Sequence, residues 1–186
     1  MNVLVLCLGN DIRRDDGVGW AVADELGDRV LQTGGWERSG GARTPESRQP
    51  AEGEGVASPI PSPQSPVPIV KRSALSGFYL LDELIGYDRV IVVDAVKTGA
   101  HPPGTVLSFP FEALGTETGP SPHAVGLPSV VKLGRQSGVI LPSEIHIVAI
   151  EVDDMESIAE GLTAPVRAAV PRAVAEVRSL LAPGLR

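Results

Sequence analysis

The chain has 186 residues, of which 42% are hydrophobic and 21% charged, and its formal net charge at pH 7 is −7. This length favours one globular domain over residues 1–186 that buries about two thirds of its unfolded surface, and argues against a second full domain. The sixteen Lys and Arg residues are scattered and form no basic stripe, which argues against a nucleic-acid partner and favours a protein or a small molecule.

The single cysteine and the lengths of the apolar runs indicate the cellular compartment of the protein. Cys7 excludes a disulfide within the chain and fits a reducing compartment. Because it lies inside the first apolar run, we interpret it as a small core residue and not as a nucleophile. That run lacks a basic flank and is too short for a signal peptide, and no later run approaches the roughly eighteen apolar residues of a membrane span. We therefore expect a cytoplasmic protein without a membrane partner.

The first half of the chain alternates apolar runs with helical patterns. Val3 to Leu8 is continuously apolar, as in strands that are covered on both faces. Val67 to Val70 predicts a second strand, followed by a helix from about Ser76 to Ile85. An amphipathic helix after the first strand is predicted by four apolar residues spaced four apart, namely Val18, Val22, Leu26 and Val30.

The segment from about Gln32 to Pro66 does not fit this alternation. It is rich in Gly, Pro, Ser and Glu and almost without apolar side chains. Burial cannot offset its ordering entropy, so we predict a disordered insertion between the first helix and the second strand. Loop closure costs only about 0.6 kcal/mol per doubling of length, so the fold tolerates it. Alternatively, Trp36 and the proline-rich end form a docking segment for a partner.

The second half predicts three further strands. Arg89 to Val93 is β-branched and unbroken and ends on Asp94. The stretch "PPGTVLSF" predicts a short antiparallel strand at an edge, because the link back is too short for a helical crossover. A helix from about Gly126 to Ser137 and a strand from Glu144 to Ile150 follow.

The last predicted helix begins at Thr163 as N-cap, with Pro165 in its first turn and a kink expected at Pro171. One side of it carries Val166, Val170, Val174 and Val177. Strands that alternate with helices in this way predict the α/β class. We expect a three-layer α/β/α sandwich whose five-stranded sheet is twisted and mostly parallel.

The first strand runs directly into "LGNDIRRDDGVG", which ends at Gly19. Its glycines lack the spacing of a dinucleotide-binding fingerprint, and the Gly-Lys-Ser/Thr of a phosphate-binding loop is absent. Asp15 and Asp16 would repel a phosphate at the helix N-terminus, where a carboxylate is itself stabilised by about 0.3–1 kcal/mol. The loop therefore fits a cation or simple helix capping, and a nucleotide-binding domain is disfavoured.

Three polar side chains are predicted at one edge of the sheet. Asp94 ends the central strand, and ligands of open parallel sheets bind beyond the carboxyl ends of the strands. Asp16 follows the first strand at the same edge, and His123, in "GPSPHAVGLP", precedes a helix that leads into the next parallel strand. Each has a structural alternative: helix capping, strand-end capping or a bond from a loop histidine to backbone. Their agreement on one edge favours a functional site.

Other polar residues have structural interpretations. Asp15 is expected to cap the helix or bond locally, and Asn10 to brace the loop through backbone hydrogen bonds. His101 is expected in a surface turn and His146 within a strand. We interpret Glu151 to Asp154 as a solvated loop at the same edge.

Five motifs carry a family resemblance: "VLCLGNDIRRDDGVG", "VIVVDAV", "PPGTV", "SPHAVGL" and "GLTAPVRAAV". They occur in this order in the maturation proteases of nickel-iron hydrogenases, which the chain resembles over most of its length outside the insertion. The resemblance implies a twisted sheet between helices, and an endopeptidase that removes a C-terminal peptide from the hydrogenase large-subunit precursor after nickel insertion. It also implies that Asp16, Asp94 and His123 contact the metal. One departure is that Lys71 and Arg72 stand where this family commonly has a Gly-rich turn with an acidic residue.

The role of the metal has two readings. A resident divalent metal would lower the pKa of bound water to about 7 for attack on the peptide carbonyl. Alternatively, nickel arrives within the substrate, and Asp16, Asp94 and His123 complete its coordination. We favour the second, because one imidazole without a thiolate holds a first-row metal weakly. The same three residues are the catalytic candidates, and no organic cofactor is expected. A non-catalytic metal-binding chaperone of the precursor is the alternative function.

Overall fold

The computed structural model describes residues 1–27, 67–114 and 126–182. Its strands are β1 (Val3–Leu8), β2 (Ile69–Ser73), β3 (Arg89–Val96), β4 (Val106–Pro110) and β5 (Glu144–Glu151). Its helices are α1 (Val18–Leu26), α2 (Leu80–Leu84), α3 (Leu127–Gln136) and α4 (Ala164–Leu181). Short 3₁₀ turns lie at Arg14–Gly17, Gly77–Tyr79 and Phe111–Ala113.

The described strands form one five-stranded sheet in the order β2-β1-β3-β5-β4. β2, β1, β3 and β5 are parallel to one another, and β4 runs antiparallel to β5 at one edge. The predicted α/β class with its mostly parallel sheet is therefore confirmed. The predicted antiparallel edge strand is confirmed as well, since Val106 pairs with Ile150 in antiparallel register.

Helices cover both faces of the sheet, because alternate residues of each central strand point to opposite sides. α1 and α4 share a hydrophobic core with Cys7 and Val93 on one face. α2 and α3 share a second core with Leu6 and Val92 on the other face. Alternation along β3 places Asp94 on the same face as Val92, which is the side of α2 and α3.

β3 is longer than predicted. The strand was expected to end on Asp94, but it continues to Val96. The reason is its pairing with β5, which joins Asp94 to Ala149 and continues through Val96 opposite Glu151. Residues before and after Asp94 are therefore paired with β5, and this pairing makes the backbone at Asp94 rigid.

The second β-α unit is shifted from its prediction. β2 begins at Ile69 and extends to Ser73, whereas Val67 is largely exposed and lies outside the strand. The following helix is shorter than expected: the 3₁₀ turn Gly77–Tyr79 comes first, and α2 covers Leu80–Leu84. The strand extends because its residues up to Ser73 find partners on β1.

α4 begins as predicted. Thr163 is its N-cap, and its carbonyl accepts a hydrogen bond from the Arg167 N–H at 2.9 Å. Pro165 lies in the first turn, and the helix runs unbroken through Pro171. The predicted apolar side is buried, as expected, at Val166, Val170, Val174 and Val177.

Cys7 is fully buried within β1, as its interpretation as a core residue requires. Burial raises the pKa of its thiol to about 12, against a smaller opposing effect of the Arg72 guanidinium. The thiol is therefore protonated at neutral pH and is no nucleophile.

Several predictions concern residues outside the described ranges. They are the insertion at about 32–66 with Trp36, the position of Val30, and His123. In the ranges that are described, no helix combines the length and the apolar character needed to cross a membrane.

Candidate active site

Asp16 lies in a tight loop that leaves β1 at the carboxyl edge of the sheet. Gly9 adopts a φ of +149°, and a Cβ at this position would overlap the carbonyl oxygen of Asp16, so only glycine fits. The Asn10 Oδ1 accepts a hydrogen bond from the Ile12 N–H at 3.2 Å, which confirms that Asn10 braces the loop. The loop closes on itself where the Asp16 N–H donates to the Arg13 carbonyl at 2.8 Å. Asp16 is only 3% exposed.

Gly19 brings this loop close to the central strand. A Cβ on Gly19 would overlap the Leu8 carbonyl oxygen and lie 3.1 Å from the Val93 carbonyl oxygen. Glycine therefore lets the first turn of α1 sit directly against β1 and β3. The 3₁₀ turn Arg14–Gly17, which carries Asp16, packs against β3, which carries Asp94.

Asp94 is 2% exposed and lines a small pocket on the α2/α3 face. The pocket has a volume of about 20 Å³, room for about one water molecule. The rest of its described lining is apolar: Leu8, Val92, Val96, Phe109, Leu114, Leu127 and Ile147. Because the surroundings offer little solvation, any charge opposite to that of Asp94 is strongly favoured there.

The structure thus brings the segments of two predicted site residues together. Asp16 and Asp94 lie on neighbouring elements at the carboxyl edge, while the third candidate, His123, is outside the described residues. Within the described ranges, no group of three His, Cys, Asp or Glu side chains could hold a metal ion. The three-residue set remains a prediction.

Asp15 corrects an expectation. It was expected to cap the helix that follows it or to bond locally, but its carboxylate accepts hydrogen bonds from Thr163, 148 residues away. The Thr163 N–H lies 2.7 Å from Oδ1, and the Thr163 hydroxyl lies 2.9 Å from Oδ2. Asp15 is fully buried, so these bonds compensate the loss of hydration of the carboxylate.

The segment between β5 and α4 is tied to the same loop by its backbone. The Arg14 N–H donates to the Ala159 carbonyl at 3.0 Å, and the Ala159 N–H donates to the Ile12 carbonyl at 3.2 Å. The Asp15 N–H donates to the Asp154 carbonyl at 3.1 Å. These bonds hold the Asp16 turn from the side of α4.

Glu151 corrects a second expectation. It was interpreted as part of a solvated loop, yet it ends β5 and is only 1% exposed. Its carboxylate accepts hydrogen bonds from the Thr98 N–H at 2.8 Å, the Thr98 hydroxyl at 2.7 Å and the Gly99 N–H at 2.7 Å. Glu151 therefore anchors the turn that follows β3, directly beyond Asp94.

Asp154 also differs from a solvated loop residue. Its Oδ1 accepts hydrogen bonds from the N–H groups of Ser157 at 3.0 Å and Glu156 at 3.3 Å. The Ser157 N–H is the main cause that holds the pKa of Asp154 below its usual value. Its Oδ2 lies 3.7 Å from the Arg14 Nε, which adds an ion pair between the two loops.

The two cations of β2 are compensated by neighbouring helices. Lys71 forms an ion pair with Glu83 of α2, and Arg72 forms one with Asp24 of α1. The departure from the family pattern at these positions therefore adds contacts between β2 and the helices as well as positive charge.

Two histidines, His101 and His146, lie within the described residues. His101 is exposed in the turn before β4. His146, on β5, lies with its Nε2 at 2.9 Å from the Ser108 hydroxyl oxygen of the edge strand. Partial burial lowers the pKa of His146, and the Arg89 guanidinium lowers it further. Both observations fit the structural interpretation of these residues.

A family comparison decides the class of this protein. The sequence profile of the HycI family, described as hydrogenase maturation protease, matches residues 74–180, more than half of the chain. The chain belongs to the hydrogenase maturation protease family. It is therefore an enzyme that hydrolyses a peptide bond, and the chaperone alternative is disfavoured. The matched range contains Asp94 and His123, whereas Asp15 and Asp16 lie before it.

Solved structures of maturation proteases share this fold. The hydrogenase maturating endopeptidase HybD from E. coli superposes with a TM-score of 0.69 at 23% identity, over 97% of this chain and 92% of that chain. The [NiFe] hydrogenase maturation protease HybD from Thermococcus kodakarensis superposes with a TM-score of 0.62 at 22% identity, over 97% of this chain and 99% of that chain. HycI from Thermococcus kodakarensis KOD1, also a [NiFe] hydrogenase maturation protease, superposes with a TM-score of 0.57 at 17% identity, over 97% of this chain and 92% of that chain. No curated protein matches the chain by sequence.

Proposed function

We propose that this maturation protease removes the C-terminal peptide of a nickel-iron hydrogenase large-subunit precursor after nickel has been inserted. In this proposal, Asp16, Asp94 and His123 complete the coordination of the nickel that the precursor carries. The supporting observation is the burial of Asp16 and Asp94 on adjoining elements at the carboxyl edge of the sheet. The lone cysteine fits the cytoplasm, where we place the reaction.

The charge of this edge favours a cation. Moving a carboxylate out of water costs several kcal/mol, and a second carboxylate nearby adds repulsion. A divalent cation between Asp16 and Asp94 offsets both effects, whereas a phosphate or another anion increases them. The pair therefore favours a metal-bearing substrate over a nucleotide.

The donor set fits nickel that is delivered and released. Carboxylate oxygens and one imidazole nitrogen hold a first-row metal less firmly than sites rich in thiolates and imidazoles. His123 precedes Leu127 by four residues, and Leu127 begins α3 and lines the pocket of Asp94. This connection supports an approach of His123 to the same edge.

The chain's own residues then act on the peptide bond. Contact with nickel would place the C-terminal part of the precursor along the carboxyl edge, which converts hydrolysis into an oriented reaction. Attack requires a base that removes a proton from water, and a carboxylate, either Asp16 or Asp94, is the candidate. A nickel-free precursor lacks this anchor and is a poor substrate.

Cleavage of purified precursor, followed by mass spectrometry, tests the assigned site. Wild-type enzyme is expected to shorten nickel-loaded precursor and to leave nickel-free precursor at full mass. Asp16→Asn and His123→Ala are expected to slow cleavage of the loaded precursor at least about 10-fold, since the first removes the charge of a ligand and the second removes a donor atom. His101→Ala, a matched change of a histidine in an exposed turn, should retain the wild-type rate. Equal rates for all four proteins contradict the assigned site.

Removal of metal from the enzyme separates delivered from resident nickel. Enzyme treated with a chelator and then freed of it by gel filtration is expected to cleave nickel-loaded precursor at the untreated rate. The reason is that the substrate supplies the metal in each turnover. Loss of activity that returns on addition of a divalent metal to the enzyme would instead establish a resident ion.

A further inference from the structure

We propose that Asp15 is a positioning residue that clamps the Asp16 turn to the N-terminus of α4. The clamp sets the place of Asp16 at the carboxyl edge, so this inference rests on the proposed role of Asp16. Asp15 itself neither contacts the precursor nor takes part in the chemistry.

Both carboxylate oxygens of Asp15 are committed to one partner. Oδ1 accepts the Thr163 N–H at 2.7 Å and Oδ2 accepts the Thr163 hydroxyl at 2.9 Å, in a fully buried position. Two hydrogen bonds from one residue fix both the distance and the orientation of the carboxylate. Although Asp15 and Asp16 are adjacent acids, the structure therefore assigns them different tasks.

The partner is a rigid support. Thr163 is the N-cap of α4, a helix of 18 residues whose apolar side is buried against the sheet. The positive end of the helix dipole favours a carboxylate at this position. No side-chain capping bond is made by Thr163 to its own helix, which leaves its hydroxyl to Asp15.

The surrounding backbone hydrogen bonds allow the Asp15 side chain to be changed without separating the two loops. Hydrogen bonds join Arg14 and Ile12 to Ala159, and Asp15 to Asp154, through backbone atoms alone. These bonds survive a change of the Asp15 side chain. Loss of the carboxylate is therefore expected to shift the turn and Asp16 while the two loops stay together.

The chemistry of the bonded pair supplies a sharp test. In Asp15→Asn the amide oxygen still accepts the Thr163 N–H, and the amide NH₂ donates to the hydroxyl oxygen, because a hydroxyl both donates and accepts. Asp15→Ala loses both bonds. Thr163→Ser keeps both donors, whereas Thr163→Val loses the hydroxyl and retains the shape.

Cleavage of nickel-loaded precursor is measured well below the melting temperature, together with the thermal unfolding of each variant. We expect Asp15→Asn and Thr163→Ser to stay within about 3-fold of wild-type kcat/KM. Asp15→Ala is expected to fall at least about 10-fold, since a displacement of about 1 Å at a reacting group can cost up to about 100-fold. Thr163→Val should lie between them.

Val170→Ala serves as the matched stability control, because it weakens the packing of α4 at a buried position about two turns beyond Thr163. It should lower the melting temperature and keep the wild-type kcat/KM. If Asp15→Ala behaves like this control, Asp15 serves stability alone and the clamp is wrong. If Asp15→Asn is as inactive as Asp15→Ala, the charge of Asp15 is required and positioning is wrong.

The proposed site and the clamp fail in different ways. A wild-type rate for Asp16→Asn overturns the role of Asp16, and with it the reason for a clamp. An inactive Asp16→Asn, combined with either of the two contrary results for Asp15, overturns the clamp alone.

Discussion

Asp94→Asn is expected to lower the cleavage of nickel-loaded precursor at least about 100-fold and to leave the fold intact. Asparagine has nearly the same shape, so the apolar pocket around residue 94 keeps its packing. The variant removes the charge that would attract nickel, and loss of groups that merely support a metal ligand already costs about 10- to 100-fold. Because a buried carboxylate is costly in an apolar pocket, its neutral replacement should not lower stability.

Parallel cleavage and thermal-unfolding measurements check this result. The melting temperature of Asp94→Asn should stay within about 3 °C of the wild type, a change of roughly 1 kcal/mol for a chain of this size. Asp82→Asn, on the exposed side of α2, repeats the same chemical change away from the site and should leave both readouts unchanged. A wild-type cleavage rate for Asp94→Asn would show that Asp94 is not part of the site.

Gly19→Ala is expected to reduce the free energy of unfolding by about 3 kcal/mol, the upper end of the usual cost of overpacking. The added Cβ overlaps the Leu8 carbonyl oxygen and lies 3.1 Å from the Val93 carbonyl oxygen, and neither backbone group can rotate away. α1 must therefore move off β1 and β3. Urea unfolding measures the change, and cleavage should also fall because the Asp16 turn moves with α1.

Gly134→Ala is the matched control, since Gly134 also lies within a helix. Its added Cβ would meet Leu81 Cδ1 at 2.7 Å and Leu141 Cδ1 at 2.9 Å, the flexible ends of side chains. Alanine also favours a helix by about 1 kcal/mol over glycine. We expect this variant to stay within about 1 kcal/mol of the wild type. A fully stable Gly19→Ala would show that α1 does not approach the central strands so closely.

The fold was predictable wherever one strand or helix carries its own pattern. β1 has the predicted bounds, Val3–Leu8, because a strand covered on both faces is continuously apolar. The antiparallel direction of β4 followed from the short link between β3 and β4, whereas its pairing partner in the sheet is β5. The end of β3 was not predictable in the same way, because pairing with β5 carries the strand past Asp94.

The location of the site was predictable from the sequence, but the hydrogen bonds that hold its surrounding loops were not. Parallel strands place the residues after β1 and within β3 at one edge, so the approach of the Asp16 and Asp94 segments follows from topology. The partners of Asp15 and Glu151 lie 148 and 52–53 residues away, and no local spacing encodes such contacts. One signal could have revealed Glu151: parallel register sets it opposite Val96, next to the donors of Thr98.

The bond between Asp15 and Thr163 also has a consequence for synthesis on the ribosome. The two residues are 148 positions apart, so a nascent chain displays the Asp16 loop long before Thr163 and α4 emerge from the exit tunnel. Until then the loop lacks its anchor. The proposed active site of this protease can therefore be completed only after α4 has been translated.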